Sequence, residues 1–152
     1  MNVVLVEPEI HWNTGNIGRT CVATGTPLHL VEPLGFSLAD KEVKRAGLDY
    51  WPRLRLTVHK DFAAFEKALP PEASLLFFST KASARFWDAP YERDSWLVFG
   101  KETAGLPEDL RRRFADRFFR IPIVEGERSL NLSNSAAVAL FEGLRRFPPV
   151  EL

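Results

Sequence analysis

The side chains best equipped for chemistry lie in three short stretches. In RSLNLSNS (128–135), Ser129, Asn131, Ser133, Asn134 and Ser135 stand among leucines just ahead of an apolar helix pattern. A helix needs one N-cap, a Ser or Asn side chain that accepts from the N–H groups of the first turn. The surplus either bonds neighbouring backbone or lines a pocket for a polar small molecule. In NTGNIGRT (13–20), Asn13, Thr14 and Asn16 with Gly15 and Gly18 follow an apolar run and open a helix, with Thr14 as the expected cap. The exposed N–H groups of a helix start suit an anion. Arg19 is out of place there, because a cation early in a helix opposes the helix dipole; gripping a phosphate would explain it. In FGKETAGLP (99–107), Gly100 would let a ligand approach the backbone and Glu102 can accept a hydrogen bond or orient a donor. Taken singly, each stretch also suits an ordinary strand-to-helix turn.

Several chemistries are excluded. There is no Gly-x-Gly-x-x-Gly and no Gly-Lys-Ser/Thr loop, so neither a dinucleotide fingerprint nor a P-loop is present. The single cysteine, Cys21, precludes an intramolecular disulfide and a multi-Cys zinc site, and no metal is expected. His11, His29 and His59 form no Ser-His-Asp grouping, and His29 reads as a strand residue.

The elements that must position these residues follow from the apolar pattern. NVVLV (2–6), LHLV (28–31), LRLTVH (54–59), SLLFFS (74–79), SWLVFG (95–100) and RFFRIPI (117–123) read as six strands. Helices are expected over 14–24, 39–46, 61–69 and 107–113, with Asp61 as a cap and Gly25 and Gly47 as stops. Near-continuous apolar strands between helices predict a three-layer α/β fold on a parallel sheet. Ligands of such sheets bind outside the carboxyl ends of the strands, where EPEIHWNTGNIGR, STKAS, GKETAGLP and VEGERSLNLSNS all fall. In the last helix, small residues at 136, 137, 139 and 143 would admit a second helix closely, which predicts a homodimer interface. The 152 residues suit one domain, 1–152. No apolar run approaches the ~20 residues of a membrane span, and no signal peptide opens the chain, so a cytoplasmic protein with no membrane partner is expected. Lys+Arg and Asp+Glu are both 20, so a nucleic-acid partner would have to be met by local charge.

In this order, VLVEPEIHWNTGNIGRTC, HLVEPLGF, KRAGLDYW, FGKETAGLP and IPIVEGERSLNLSNSAAVALFE resemble the SPOUT (α/β-knot) RNA methyltransferases, and most closely the TrmL/YibK group, over essentially the whole chain. One departure is His11-Trp12, where that group commonly has prolines. The resemblance implies a SPOUT fold with a C-terminal deep trefoil knot, an exception to the unknotted rule. It implies S-adenosylmethionine (SAM) as cofactor, with contacts at Phe78, Gly100, Ile121, Ser129 and Leu130. It implies methyl transfer to a ribose 2′-hydroxyl at the wobble nucleotide of tRNA, position 34, with leucine tRNA as the substrate. Arg19 maps to the catalytic arginine, with Asn13, Glu102 and Asn131 at the supporting polar positions and Glu102 orienting Arg19 or an amide. RNA contacts are expected from Lys41, Lys44 and Arg45, and from the cluster Arg111, Arg112 and Arg113. The alternatives are a SPOUT enzyme acting on another tRNA position or on ribosomal RNA, and a catalytically silent RNA-binding domain on the same fold.

Overall fold

The computed structural model describes residues 1–38 and 49–149. Seven strands form one parallel sheet in the order β3-β2-β1-β6-β4-β7-β5. They are β1 (Asn2–Val6), β2 (Leu28–Val31), β3 (Leu56–His59), β4 (Leu75–Phe78), β5 (Ala84–Arg85), β6 (Trp96–Phe99) and β7 (Phe118–Arg120). Among the described residues four α-helices accompany them: α1 (His11–Ala23), α2 (Phe62–Ala68), α3 (Glu108–Arg113) and α4 (Leu132–Arg146).

The pleat sorts the strands' side chains between two cores, because alternate residues face opposite sides of a sheet. Val3, Leu5, Phe78 and Phe99 join Ile17 and Cys21 of α1 and Ala136, Ala139 and Leu140 of α4. Val4, Val6, Phe77 and Val98 join Phe65 of α2 and Leu110 of α3. Both faces are therefore covered, and the three-layer α/β reading holds. The six expected strands are all present. β5 was not expected; two exposed residues carry no apolar pattern. β7 ends at Arg120, short of 123; Pro122 lacks the N–H a ladder needs.

Three local readings need correction. α1 begins at His11, three residues before the expected start, and Thr14 lies buried inside it rather than capping it. No side chain of its own cap residue, Ile10, closes this helix. The small residues of α4 admit a neighbour, but that neighbour is the chain itself: α4 packs on α1 and β6, and Ala136, Ala139 and Gly143 are buried. A Cβ at Gly143 would fall 2.7 Å from the Met1 methyl. The exposed large apolar residues of α4 are Val138 and Phe141, 41% and 56% exposed. Other local signals act as expected. Asp61 caps α2 by accepting from the Ala64 N–H at 2.7 Å, and Gly25, at φ +64°, ends α1. The helix expected over 39–46, with Gly47, Lys41, Lys44 and Arg45, lies outside the described residues. No described helix is long and apolar enough to cross a membrane.

Candidate active site

A cavity of about 670 Å³ opens at the carboxyl ends of β1, β4, β6 and β7. All five residues assigned to the cofactor, Phe78, Gly100, Ile121, Ser129 and Leu130, line it, and so do Asn13, Glu102 and Asn131.

The last three form a directed chain of hydrogen bonds. Glu102 accepts from the Glu9 N–H at 2.8 Å, the Ile10 N–H at 3.2 Å and Asn13 Nδ2 at 3.0 Å. Asn13 Oδ1 accepts from Asn131 Nδ2 at 3.0 Å. Asn131 Oδ1 accepts from the N–H groups of Ser133 (2.8 Å) and Asn134 (3.4 Å) and from Ser133 Oγ (2.6 Å), capping α4. The polarity is forced. An ionised carboxylate only accepts and helix-start N–H groups only donate, so each amide between them has one workable orientation. Glu102 also explains the early start of α1. Its carboxylate supplies negative charge and acceptors beside a helix N-terminus, where both are favourable. It therefore orients an amide, not Arg19.

The Ser/Asn surplus now divides by task. Asn131 caps α4 and Ser133 bonds to Asn131. Ser129 and Ser135 line the cavity, and their hydroxyls have no partner among the described residues. Asn134 is exposed and outside the lining.

Gly100 lines the cavity where the chain's own backbone comes very close. A Cβ there would lie 2.2 Å from the Gly105 carbonyl carbon and 2.3 Å from the Leu106 nitrogen. The close approach is by the chain's own loop, which folds back through a Lys101–Gly105 bridge with Gly105 at φ +71°. Two acids hold that loop from β1's end. Lys101 Nζ meets Glu7 Oε2 at 2.9 Å, and the Thr103 hydroxyl and N–H both bond Glu9. Those Thr103 bonds hold the Glu9 carboxyl below its usual range, and Glu7 raises the Lys101 ammonium above its own. Glu7 adopts φ +52°, a strained conformation for a side-chain-bearing residue.

Arg19 does not line this cavity. It lies six residues beyond Asn13 on α1, on a different face and ~9 Å further along the axis. It is exposed, with its guanidinium 5.7 Å from the centroid of the Tyr50 ring. The basic run 111–113 also separates, because successive helix residues turn by ~100°. Arg111 lines the cavity and pairs with Glu108, whereas Arg113 pairs with Glu66 beside a separate hollow. Two cations at the cavity, Lys81 and Arg128, were missed as individual residues, and neither has an ion pair among the described residues. Their signal was position: each sits in a loop that follows a strand. Among the described residues no group of three metal-binding side chains occurs.

Comparison with known proteins bears on the family and the fold. Residues 1–141 match the model of the SpoU rRNA Methylase family. A tRNA (cytidine(34)-2′-O)-methyltransferase of Burkholderia pseudomallei (strain 1106a) is 51% identical over 147 residues, covering 95% of this chain and 94% of that protein. A solved structure concerned with 2′-OH methylation of C/U34 on tRNA superposes with a TM-score of 0.92 at 44% identity, covering 96% of this chain and 95% of that one. The AdoMet-bound rRNA methyltransferase of Sinorhizobium meliloti superposes with a TM-score of 0.82 at 26% identity, covering 97% of this chain and 57% of that one. With its fold, its strand-end cavity and these matches over nearly its whole length, the chain belongs to the SpoU rRNA methylase family.

Proposed function

We propose that this chain is a cytoplasmic, SAM-dependent tRNA 2′-O-methyltransferase that modifies cytidine 34, the wobble nucleotide, of leucine tRNA. The observation that carries this reading is the Glu102–Asn13–Asn131 chain set into the wall of a cavity that also presents the Ser129 and Ser135 hydroxyls, neither with a partner among the described residues. The lining fits SAM in kind. Phe78, Phe99 and Ile121 offer apolar surface for an adenosine, and Ser129, Ser135 and the backbone of 100–105 offer polar partners. SAM would supply a methyl group on a sulfonium: the bond from the 2′-oxygen to the methyl forms as the sulfur–methyl bond breaks, the thioether product leaves, and the hydroxyl proton passes to solvent water.

The chain's part is alignment, which can supply a large share of the rate of a two-substrate transfer. Glu102 has three donors and acts as an anchor, fixing Asn13 at the cavity wall. Lys81, Arg111 and Arg128 favour RNA phosphates at the mouth. Arg19, which always carries its charge and only donates, grips a phosphate and the 2′-oxygen.

Since Arg19 stands clear of its own chain's cavity, it serves the cavity of a second copy. Trp12, Val138 and Phe141 are exposed apolar residues on α1 and α4 and support a homodimer interface there. The C-terminal segment is threaded as a trefoil knot; the placement of β7 between β4 and β5 supports that reading.

The test is incubation with labelled SAM and total tRNA, then mapping of the modified nucleoside. Label in 2′-O-methylcytidine at position 34 of leucine tRNA is the expected result. Label elsewhere in tRNA, or only in ribosomal RNA, would move the enzyme to another target. No transfer to any RNA would leave an RNA-binding domain.

A further inference from the structure

Residues 50–54 dock on α1 where Arg19 emerges. Gly18 makes this approach close: a Cβ there would lie 3.2 Å from Leu54 Cδ2, 3.4 Å from Trp51 Cζ3 and 3.7 Å from Tyr50 Cε2. Tyr50 is buried, and its hydroxyl donates to the Gly15 carbonyl at 2.5 Å. Gly15 and Arg19 are four residues apart and share a helix face. The ring anchored at Gly15 thus presents its π face to the Arg19 guanidinium, 5.7 Å from the centroid. A guanidinium over an aromatic face is attracted by the ring quadrupole.

We propose that Tyr50 is a positioning residue for Arg19. Its hydroxyl fixes the ring to α1, and the ring narrows the conformations of an otherwise exposed arginine before RNA arrives. Ordering a long side chain in advance lowers the entropic cost of binding. The proposal rests on the reading of Arg19 as the group that acts on RNA. Tyr50 itself does not line the cavity.

The experiment compares Tyr50→Phe, Tyr50→Met and Arg19→Ala with the natural chain, using SAM and total tRNA. Tyr50→Met fills similar volume without a π face. It should lower kcat/KM for tRNA about fivefold, the upper end for a lost cation–π contact at an exposed site, with SAM affinity unchanged by calorimetry. Tyr50→Phe keeps the face but loses the anchor and should fall about threefold or less. The second readout needs no activity: the Arg19 Nε–H resonance should carry a ring-current shift that Tyr50→Met abolishes and Tyr50→Phe largely keeps. Natural turnover in folded Tyr50→Met, with Arg19→Ala inactive, overturns the role of Tyr50 alone. Turnover retained in Arg19→Ala overturns the reading of Arg19 beneath it. Equal losses in SAM affinity and turnover for Tyr50→Met would make Tyr50 merely structural and also overturn the proposal.

Discussion

Two polar clusters are built into this sheet, and the fold treats them in opposite ways. Near the β3 edge, His29 Nδ1 and His59 Nε2 share one hydrogen bond at 3.1 Å. Phe65 lies 5.3 Å from the His59 ring and Trp96 4.8 Å from the His29 ring, so aromatics close the pair in. Burial, with the neighbouring His59, pushes His29 down to about 4, and burial lowers His59 too. At the carboxyl ends of the strands, Glu102, Asn13 and Asn131 are just as thoroughly bonded, yet Ser129 and Ser135 beside them are left to a cavity. A perturbed histidine is a usual flag for function, and here it marks the structural cluster. The informative sign is a polar chain whose direction is fixed at both ends and whose neighbours still have hydrogen-bonding capacity to offer.

The sharpest way to break this contrast is Asn13→Leu. It strips a donor from Glu102 and leaves Asn131 Nδ2 without its acceptor. Asn131 is exposed and Glu102 keeps two N–H donors, so what is lost is the alignment of the chain rather than a buried bond. We expect kcat/KM for tRNA to fall about a hundredfold, which corresponds to ~2.7 kcal/mol, in a steady-state methylation assay. Phe141→Asp touches neither cluster and separates assembly from alignment. Sedimentation should show monomers that still bind SAM but have lost most methyl transfer, because Arg19 no longer reaches a partner's cavity. Full activity as a monomer would end the two-copy reading.

The smallest effect on activity belongs to the histidine pair. His29 has its folded-state pKa below its ordinary value of 6.5, so the unfolded chain binds more protons in between. Stability must therefore fall as pH drops from about 6.5 towards about 4. His29→Phe should flatten that part of the thermal-melting profile and leave turnover at neutral pH nearly unchanged, since His29 does not line the cavity.

Much of this was legible in the sequence, and what was not has identifiable causes. The strands show themselves as near-continuous apolar runs because both faces of the sheet are covered. The start of α1 was misplaced because its capping comes from Glu102, far along the chain, whereas capping rules look only at nearest neighbours. The face of α4 was misassigned for a related reason. Ala136, Ala139 and Gly143 invite close packing whichever helix supplies it, and only the folded chain shows α1 in that place. Gly100 lines the cavity, but a sequence alone does not distinguish a ligand's approach to it from that of Gly105. The run Arg111–Arg113 looked like one patch because text has no azimuth.

The sheet order also dictates how the enzyme comes into being. β1 is made first and lies inside the sheet, yet the strand on one side of it is β6, with Val4 opposite Val98. During synthesis the early chain can complete only β1, β2 and β3, with one edge of β1 bare until residues 96–99 leave the ribosome. Pairings so distant along the chain slow folding and prolong exposure of that edge. The cavity draws on residues from Ile10 to Ser135 and is finished last. Cofactor binding by a nascent or refolding chain would thus report that folding is complete.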